Sequence, residues 1–404
     1  MRNDLERLME QRGLDGMAVL GSSLRSAALR YLVNGADLGD SWFLAGRGGK
    51  RHLIHNPMER DAAAGAGVEL STPADNDFPA LADRSDSIQH AWGRMLGERL
   101  KKMGISGSLA LYGVADVGLA LEVRRTLEDE YGHKVVGDMR LPLTDELRYT
   151  KDMHEIEILR GLSKITCEVM GRLRDHLALL KPSGGKLAGP DGSVARIGDL
   201  RRIVRMGFAE RGLIQPHGSI IAQGRDAGVP HNHGNDAEEI RSGAPIVVDI
   251  FPQDTASGYY YDMTRTFCVG PAPQDLRELF VTVHDAHLAA LDTFTLGSLA
   301  RDYQHAVCDY FESRGHATLR KDDRAEEGYV HSLGHGLGLD LHERPRFSAS
   351  PMNTDALLPG TVFTVEPGLY YPSRGLGVRL EDVVVAHGDG TFENLTDFPL
   401  TLEV

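Results

Sequence analysis

Apolar positions change period several times along the chain, and the changes mark out elements. Leu5, Leu8 and Met9 fall on one helical face, and Gly13 ends that helix. Residues 17–20 then read as a buried strand, with further strands at 41–45 and 52–54. Ile88, Trp92, Met95, Leu96 and Leu100 recur at helical spacing, and Gly104 closes that amphipathic helix. Residues 109–112 are another buried strand. Strands alternating with helices predict an α/β layer over residues 1–140. His52, His55 and His90 are scattered through it and read as structural or solvated rather than catalytic. Over 141–152 the periodicity lapses: Pro142 and Thr144-Asp145-Glu146 read as a linker.

Past residue 153 the pattern lengthens. Ile158, Leu162, Ile165, Val169, Leu173 and Leu177 step by four, three, four, four and four, which predicts one long helix with a single apolar stripe. Asp152 and Glu155 suit the positive end of its dipole, and residues 181–185 stop it. Asp199 is placed to cap a second helix carrying Leu200, Val204 and Phe208, ended by Gly212. Helices at 276–294 and 302–313 follow, with strands between and after. The second domain, 153–404, is therefore α+β, with antiparallel strands and covering helices.

Those strands carry the chemistry. Residues 246–270, IVVDIFPQDTASGYYYDMTRTFCVG, read as a hairpin around a polar turn. If Gln253 pairs with Gly258, Asp249 falls opposite Asp262, and cross-strand partners project to one face about 5 Å apart. Two carboxylates that close repel unless a proton or cation lies between them. Acids near a turn are also common surface residues, and Pro252 suits an edge or a bulge. His231 and His233 lie in a Pro/Gly loop. His331, His335 and His342 share the segment HSLGHGLGLDLHE, whose glycines leave room around His335 for a metal or a substrate. That segment is not a nucleotide loop, because it lacks the strand–turn–helix setting and the Lys-Ser/Thr pair. Residues 362–368 read as a strand entering a turn, and 377–385 as one strand with Arg379 and Glu381 on the same face.

Composition narrows the partners. The formal net charge of −14 disfavours nucleic acid and anionic membranes. Three dispersed cysteines make no disulfide framework and suit a reducing, cytoplasmic setting. The charged N-terminus has no signal-type apolar core, and no run of 18 apolar residues offers a membrane span.

In order, DIF…GYYYDMTRT, HSLGHGLGLDLHE, TVEPG and GVRLED resemble the pita-bread metallopeptidases. That family includes methionine aminopeptidases, Xaa-Pro aminopeptidases, prolidases and the creatinase relatives. GLDGMAVLG and RYLVNG resemble, more loosely, its creatinase-type N-terminal domain. The resemblance implies a two-domain α+β chain and two divalent metal ions, Mn²⁺ or Co²⁺ before Zn²⁺. It implies Asp249, Asp262, His335, Glu366 and Glu381 as ligands, with Asp262 and Glu381 bridging. Asp254 and His233 are the lesser alternatives to Asp249 and His231. His231, His331 and His342 fall on the substrate side, and Arg379 supports the ligands there. Asp249 and Asp262 stand 13 positions apart, a couple more than is common, the excess lying in the turn.

The activity so implied is hydrolysis of the first peptide bond of Xaa-Pro peptides, by a homodimer. Glu366 would be general base, with His342 and His231 as partners of the reacting groups. The rivals are a same-fold enzyme acting on a small non-peptide substrate, such as a lyase or amidine hydrolase, and a non-catalytic peptide-binding module.

Overall fold

The computed structural model describes residues 4–138, 141–183 and 186–404. The chain divides into two compact units, Met1–Arg148 and Tyr149–Val404.

In the first unit, six strands make one mixed sheet: β1 (Gly16–Ser22), β2 (Asp40–Gly46), β3 (Arg51–Ile54), β4 (Glu69–Ser71), β5 (Ser108–Gly113) and β6 (Lys134–Val136). Their order is β4-β3-β2-β1-β5-β6, with β1 antiparallel to β2 and parallel to β5. The central strand β1 is an unbroken apolar run because both its faces are covered. The helix Ile88–Lys102 sets Met95, Leu96 and Leu100 into a core with Leu20, Trp42 and Leu109. Ser87 begins it by accepting the His90 N–H. A helix at Val117–Asp129 escapes the periodicity because its apolar Val117 and Leu121 point outward. The expected linker 141–152 also holds a helix, Leu143–Arg148, with Leu143 and Leu147 buried. Pro142 starts it, its carbonyl accepting from Asp145 and Glu146.

The second unit opens on the helix Met153–Ala178. Asp152 and Glu155 form a reciprocal capping box that satisfies two otherwise unpaired N–H groups. Its buried face is broader than the expected stripe: Ile156, Leu159, Thr166 and Met170 are buried, while Ile158 and Ile165 are only half so. A stripe stepping by four drifts around the helix, and packing follows the whole face. Of the expected stop at 181–185, residues 184 and 185 lie outside the described residues. The next helix, Ile197–Ala209, begins at Arg196. Asp199 is therefore not its cap; it sits one turn in and accepts the Arg196 N–H at 2.9 Å.

Strands follow: β7 (Lys181–Ser183), β8 (Lys186–Ala188), β9 (Leu213–Ile214), β10 (Ser219–Gln223), β11 (Pro245–Ile250), β12 (Gln253–Asp254) and β13 (Met263–Cys268). After the helices Gln274–Leu291 and Ala300–Glu312 come β14 (His335–Gly336), β15 (Glu343–Arg346), β16 (Val362–Val365), β17 (Gly368–Tyr371), β18 (Leu376–Arg379), β19 (Asp382–Ala386) and β20 (Phe392–Asn394). One sheet is β10-β11-β13, another β15-β14-β16-β19-β20, and β17 pairs with β18. The two helices bury Leu276, Val283, Val307 and Phe311 in one core with Phe363, Val365, Val378 and Leu380. Alternation along the strands then turns Glu366, Arg379 and Glu381 the other way. That alternation makes the site.

Two expectations about these strands need correction. Asp249 is paired with Thr264, not Asp262. The turn is longer than supposed: Gln253 bridges Tyr260, and β12 pairs with β9 instead of closing a tight loop. The shift is two residues, so Asp249 and Asp262 keep the same face. The expected single strand at 377–385 is two strands in different sheets, broken at Leu380-Glu381. At the break the Glu381 N–H bonds the Thr264 carbonyl of β13 at 3.0 Å, which carries the Glu381 side chain to the same site. Among the described residues no helix is long and apolar enough to cross a membrane.

Candidate metal centre

A cleft of about 530 Å³ in the second unit is lined by Asp249, Asp262, His335, Glu366 and Glu381 together. His231, His331, His342 and Arg379 line it too, as do His217, His233, Phe251, Leu341 and Arg346. All nine residues singled out in the sequence as ligands or substrate-side groups therefore share one cavity. Asp254 is elsewhere: its carboxylate caps its own turn, accepting from Ser257 N and Oγ. His233 reaches the cleft, but its Nδ1 is held by the Ser219 carbonyl at 3.1 Å.

The tightest cluster is Asp262, His335 and Glu381, each with a ligand atom within 4.8 Å of the others. Asp249 and Glu366 flank it. Asp249 Oδ2 accepts from Arg379 Nη2 at 2.6 Å, and Glu366 Oε1 lies 3.5 Å from His335 Nε2. His335 Nδ1 is 3.0 Å from the Gly336 carbonyl, which can only accept, so Nδ1 carries the proton. Nε2 then presents a lone pair, 3.7 Å from Asp262 Oδ2. This tautomer is the one a metal ligand needs.

The electrostatics are unbalanced. Burial, then Glu381, Asp249 and Glu366, push the Asp262 carboxyl well above its ordinary range. Burial and Glu381 do the same to Glu366, and burial with Asp249 raises Glu381 to about 8. Burial, reinforced by His342, drives His335 down to about 3, so it is neutral. Among the described residues, Asp249 Oδ1 and Asp262 Oδ1 are buried without a hydrogen-bond partner. Four carboxylates thus face one buried guanidinium, and two of their oxygens are unsatisfied. A site of this kind lacks positive charge, and its donors, four carboxylates and one neutral imidazole, fit divalent cations that favour oxygen.

The supporting contacts are specific. Arg379 Nη1 donates to Tyr370 Oη at 2.7 Å, and that hydroxyl lies 2.9 Å from His331 Nε2. His331 Nδ1 sits 2.7 Å from the Ser332 carbonyl. Both nitrogens of His331 are therefore committed within the protein, and its ring serves as a wall and a prop. His231 and His342 are exposed and form no side-chain hydrogen bond among the described residues. The His342 ring meets His335 edge-on at 4.4 Å between centroids.

The glycines around His335 also answer to close backbone packing. A Cβ on Gly334 would sit 1.9 Å from the Thr364 carbonyl oxygen, and one on Gly336 2.0 Å from that of Arg344. They admit neighbouring backbone, and so let the His335 strand lie between β15 and β16, while Gly334 also lines the cleft.

Sequence reasoning missed Thr264, Tyr370, Arg346 and His217. Thr264 was accessible by alternation from Asp262. Tyr370 and His217 reach the site only through the fold. Arg346 is exposed and lines the cleft, and among the described residues it forms no ion pair.

Residues 157–387 match the metallopeptidase family M24 over more than half of the chain. The chain belongs to that family. Its pita-bread fold and metallopeptidase class go with this membership, and M24 membership implies divalent metal ions. The chain is 32% identical over 244 residues to a probable dipeptidase PepE of Mycobacterium tuberculosis, across 60% of this chain and 58% of that protein. It is 30% identical over 245 residues to an Xaa-Pro dipeptidase of Pyrococcus furiosus, across 61% and 62% of the two chains. The aligned part thus spans less than two thirds of either relative. An Xaa-Pro dipeptidase from Bacillus anthracis shares the fold over 100% of this chain and 99% of its own, with a TM-score of 0.79 at 22% identity.

Proposed function

We propose that this M24 member hydrolyses the N-terminal peptide bond of short Xaa-Pro peptides using two divalent cations. The observation that carries this reading is the cluster of under-compensated acids around a neutral His335 in an open cleft. Asp249, Asp262, His335, Glu366 and Glu381 would hold the two ions. The oxygen-rich set favours Mn²⁺ or Co²⁺ over Zn²⁺. Once bound, the cations supply an activated water at neutral pH.

The protein's own groups do the rest. Glu366 takes the proton released by the attacking water and hands it to the leaving nitrogen. His342, free to donate, stabilises the oxyanion as it forms. His231, which lines the same cleft, holds the substrate backbone or the leaving nitrogen. Phe251 and Leu341 give the cleft an apolar wall that suits a proline ring. The unpaired Arg346 suits a free C-terminal carboxylate, which supports dipeptides over longer chains. The dipeptidase names of the relatives support the same preference. Residues 153–404 serve in this reading as the catalytic domain and 1–140 as the creatinase-like domain, in a cytoplasmic homodimer.

Turnover of a small panel tests the substrate. Ala-Pro and Leu-Pro should be cleaved, Ala-Ala poorly, and C-terminally amidated Xaa-Pro worst. Uniform failure on all peptides, with turnover of an amidine or another small non-peptide, would favour the rival chemistry.

A further inference from the structure

Thr264 stands where three strands of the cleft meet. It is fully buried, paired across β11–β13 with Asp249, and its carbonyl accepts the Glu381 N–H. Its hydroxyl has two polar side-chain neighbours. Arg379 Nε lies 3.3 Å from Oγ1, and Glu381 Oε2 lies 2.7 Å from it. A guanidinium N–H can only donate, so Oγ1 accepts there. The single hydroxyl proton then has one destination, Glu381 Oε2. The same guanidinium donates Nη2 to Asp249. One buried cation therefore orients two acids, Asp249 directly and Glu381 through the Thr264 hydroxyl.

A buried threonine often bonds whatever polar group is nearest, and Thr266 does so. Its hydroxyl donates to the Arg379 carbonyl at 2.9 Å and accepts the Arg379 N–H at 3.0 Å. Thr264 differs in that its donor and acceptor sides both face charged side chains of the site. Glu381 is repelled by the acids around it, so its carboxylate needs a donor to stay among them. Among the described residues the Thr264 hydroxyl is the only side chain that donates to it.

We infer that Thr264 is a positioning residue whose hydroxyl holds the Glu381 carboxylate beside Asp262 and His335 to receive a shared divalent cation. This rests on the metal-centre reading above. Loss of a group that orients a ligand typically weakens metal affinity about ten- to a hundredfold.

Thr264→Ser and Thr264→Ala differ by one hydroxyl and isolate its effect. Mn²⁺ binding to the metal-stripped full-length protein, measured by calorimetry, is the readout, with melting of the metal-free variants alongside. The serine variant should bind Mn²⁺ nearly as tightly as the parent, and the alanine variant about ten- to a hundredfold more weakly. Equal affinity in the two variants, whether high or low, would overturn the inference. If the alanine variant does not fold, Thr264→Val, which restores the volume without the hydroxyl, takes its place against serine. Parent protein that binds no Mn²⁺, Co²⁺ or Zn²⁺ would remove the metal centre itself, an outcome distinct from a silent Thr264.

Discussion

Glu381 and Asp382 are adjacent acids, both buried, on opposite faces of one turn into β19, and their surroundings could hardly differ more. Asp382 Oδ1 meets Arg265 Nη2 at 2.7 Å, and its Oδ2 meets His287 Nε2 at 3.0 Å and Asn394 Nδ2 at 2.7 Å. Burial pushes the Asp382 carboxyl up, but Arg265 and His287 outweigh it and hold it well below the ordinary range. Among the described residues the Glu381 carboxylate accepts only from the Thr264 hydroxyl; burial and Asp249 outweigh the nearby Arg379 and raise it to about 8. Burial is common to both, so burial does not separate them. Charge balance does. A buried acid with its partners in place belongs to the scaffold, while one left short of positive charge marks a place where a cation can bind.

The largest effect that would sharpen this contrast is on stability. Asp382→Ala strands the buried Arg265 and His287 and should cost about 3–5 kcal/mol in urea unfolding. Glu381→Gln, one residue away, removes a repelled charge. It should leave the metal-free protein as stable as the parent or more so, while abolishing tight Mn²⁺ binding. Equal destabilisation by both changes would erase the distinction.

Next in size is substrate recognition. Arg346→Met should raise KM for Xaa-Pro dipeptides about ten- to a hundredfold, the value of a charge-assisted bond of about 1.5–3 kcal/mol. C-terminally amidated peptides should be unaffected. An equal loss on both substrates would mean that Arg346 does not read the carboxylate.

The smallest effect is the pH dependence of metal-free stability. Asp262, Glu366 and Glu381 have folded-state pKa values above their unfolded ones, so the folded chain binds more protons across that window. Their contribution is whole below the ordinary carboxylate range and falls away as pH rises towards about 8. Melting of the stripped protein should therefore drop over this range, and Mn²⁺ should raise the melting temperature more at the alkaline end than near about pH 5. A Mn²⁺-induced gain of the same size throughout would mean that the acids are not mutually repelled.

What the sequence revealed and what it concealed follow the same physics. The five acid and imidazole positions were legible through the resemblance of DIF…GYYYDMTRT, HSLGHGLGLDLHE, TVEPG and GVRLED to the pita-bread metallopeptidases, since an acid beside a turn or an arginine is by itself ordinary surface. The shared face of Asp249 and Asp262 was legible from the strands because alternation survives a two-residue slip, and the Asp249–Thr264 pairing is such a slip. The slip itself was not legible, because it depends on β12 leaving the hairpin to pair with β9. Nor could GVRLED be divided between two sheets, since the break at Leu380-Glu381 follows from Glu381 bonding to β13, a partner 117 residues away. The packing role of Gly334 and Gly336 was hidden for a related reason: their crowding comes from distant backbone at Thr364 and Arg344.

The central claim is that Asp249, Asp262, His335, Glu366 and Glu381 hold cations on which peptide hydrolysis depends. Stripping the protein with chelator, verifying metal loss by elemental analysis, and titrating Mn²⁺ back while following Ala-Pro cleavage tests it directly. Activity should vanish with the metal and return as two equivalents bind. Full cleavage by protein verified free of metal would contradict the account.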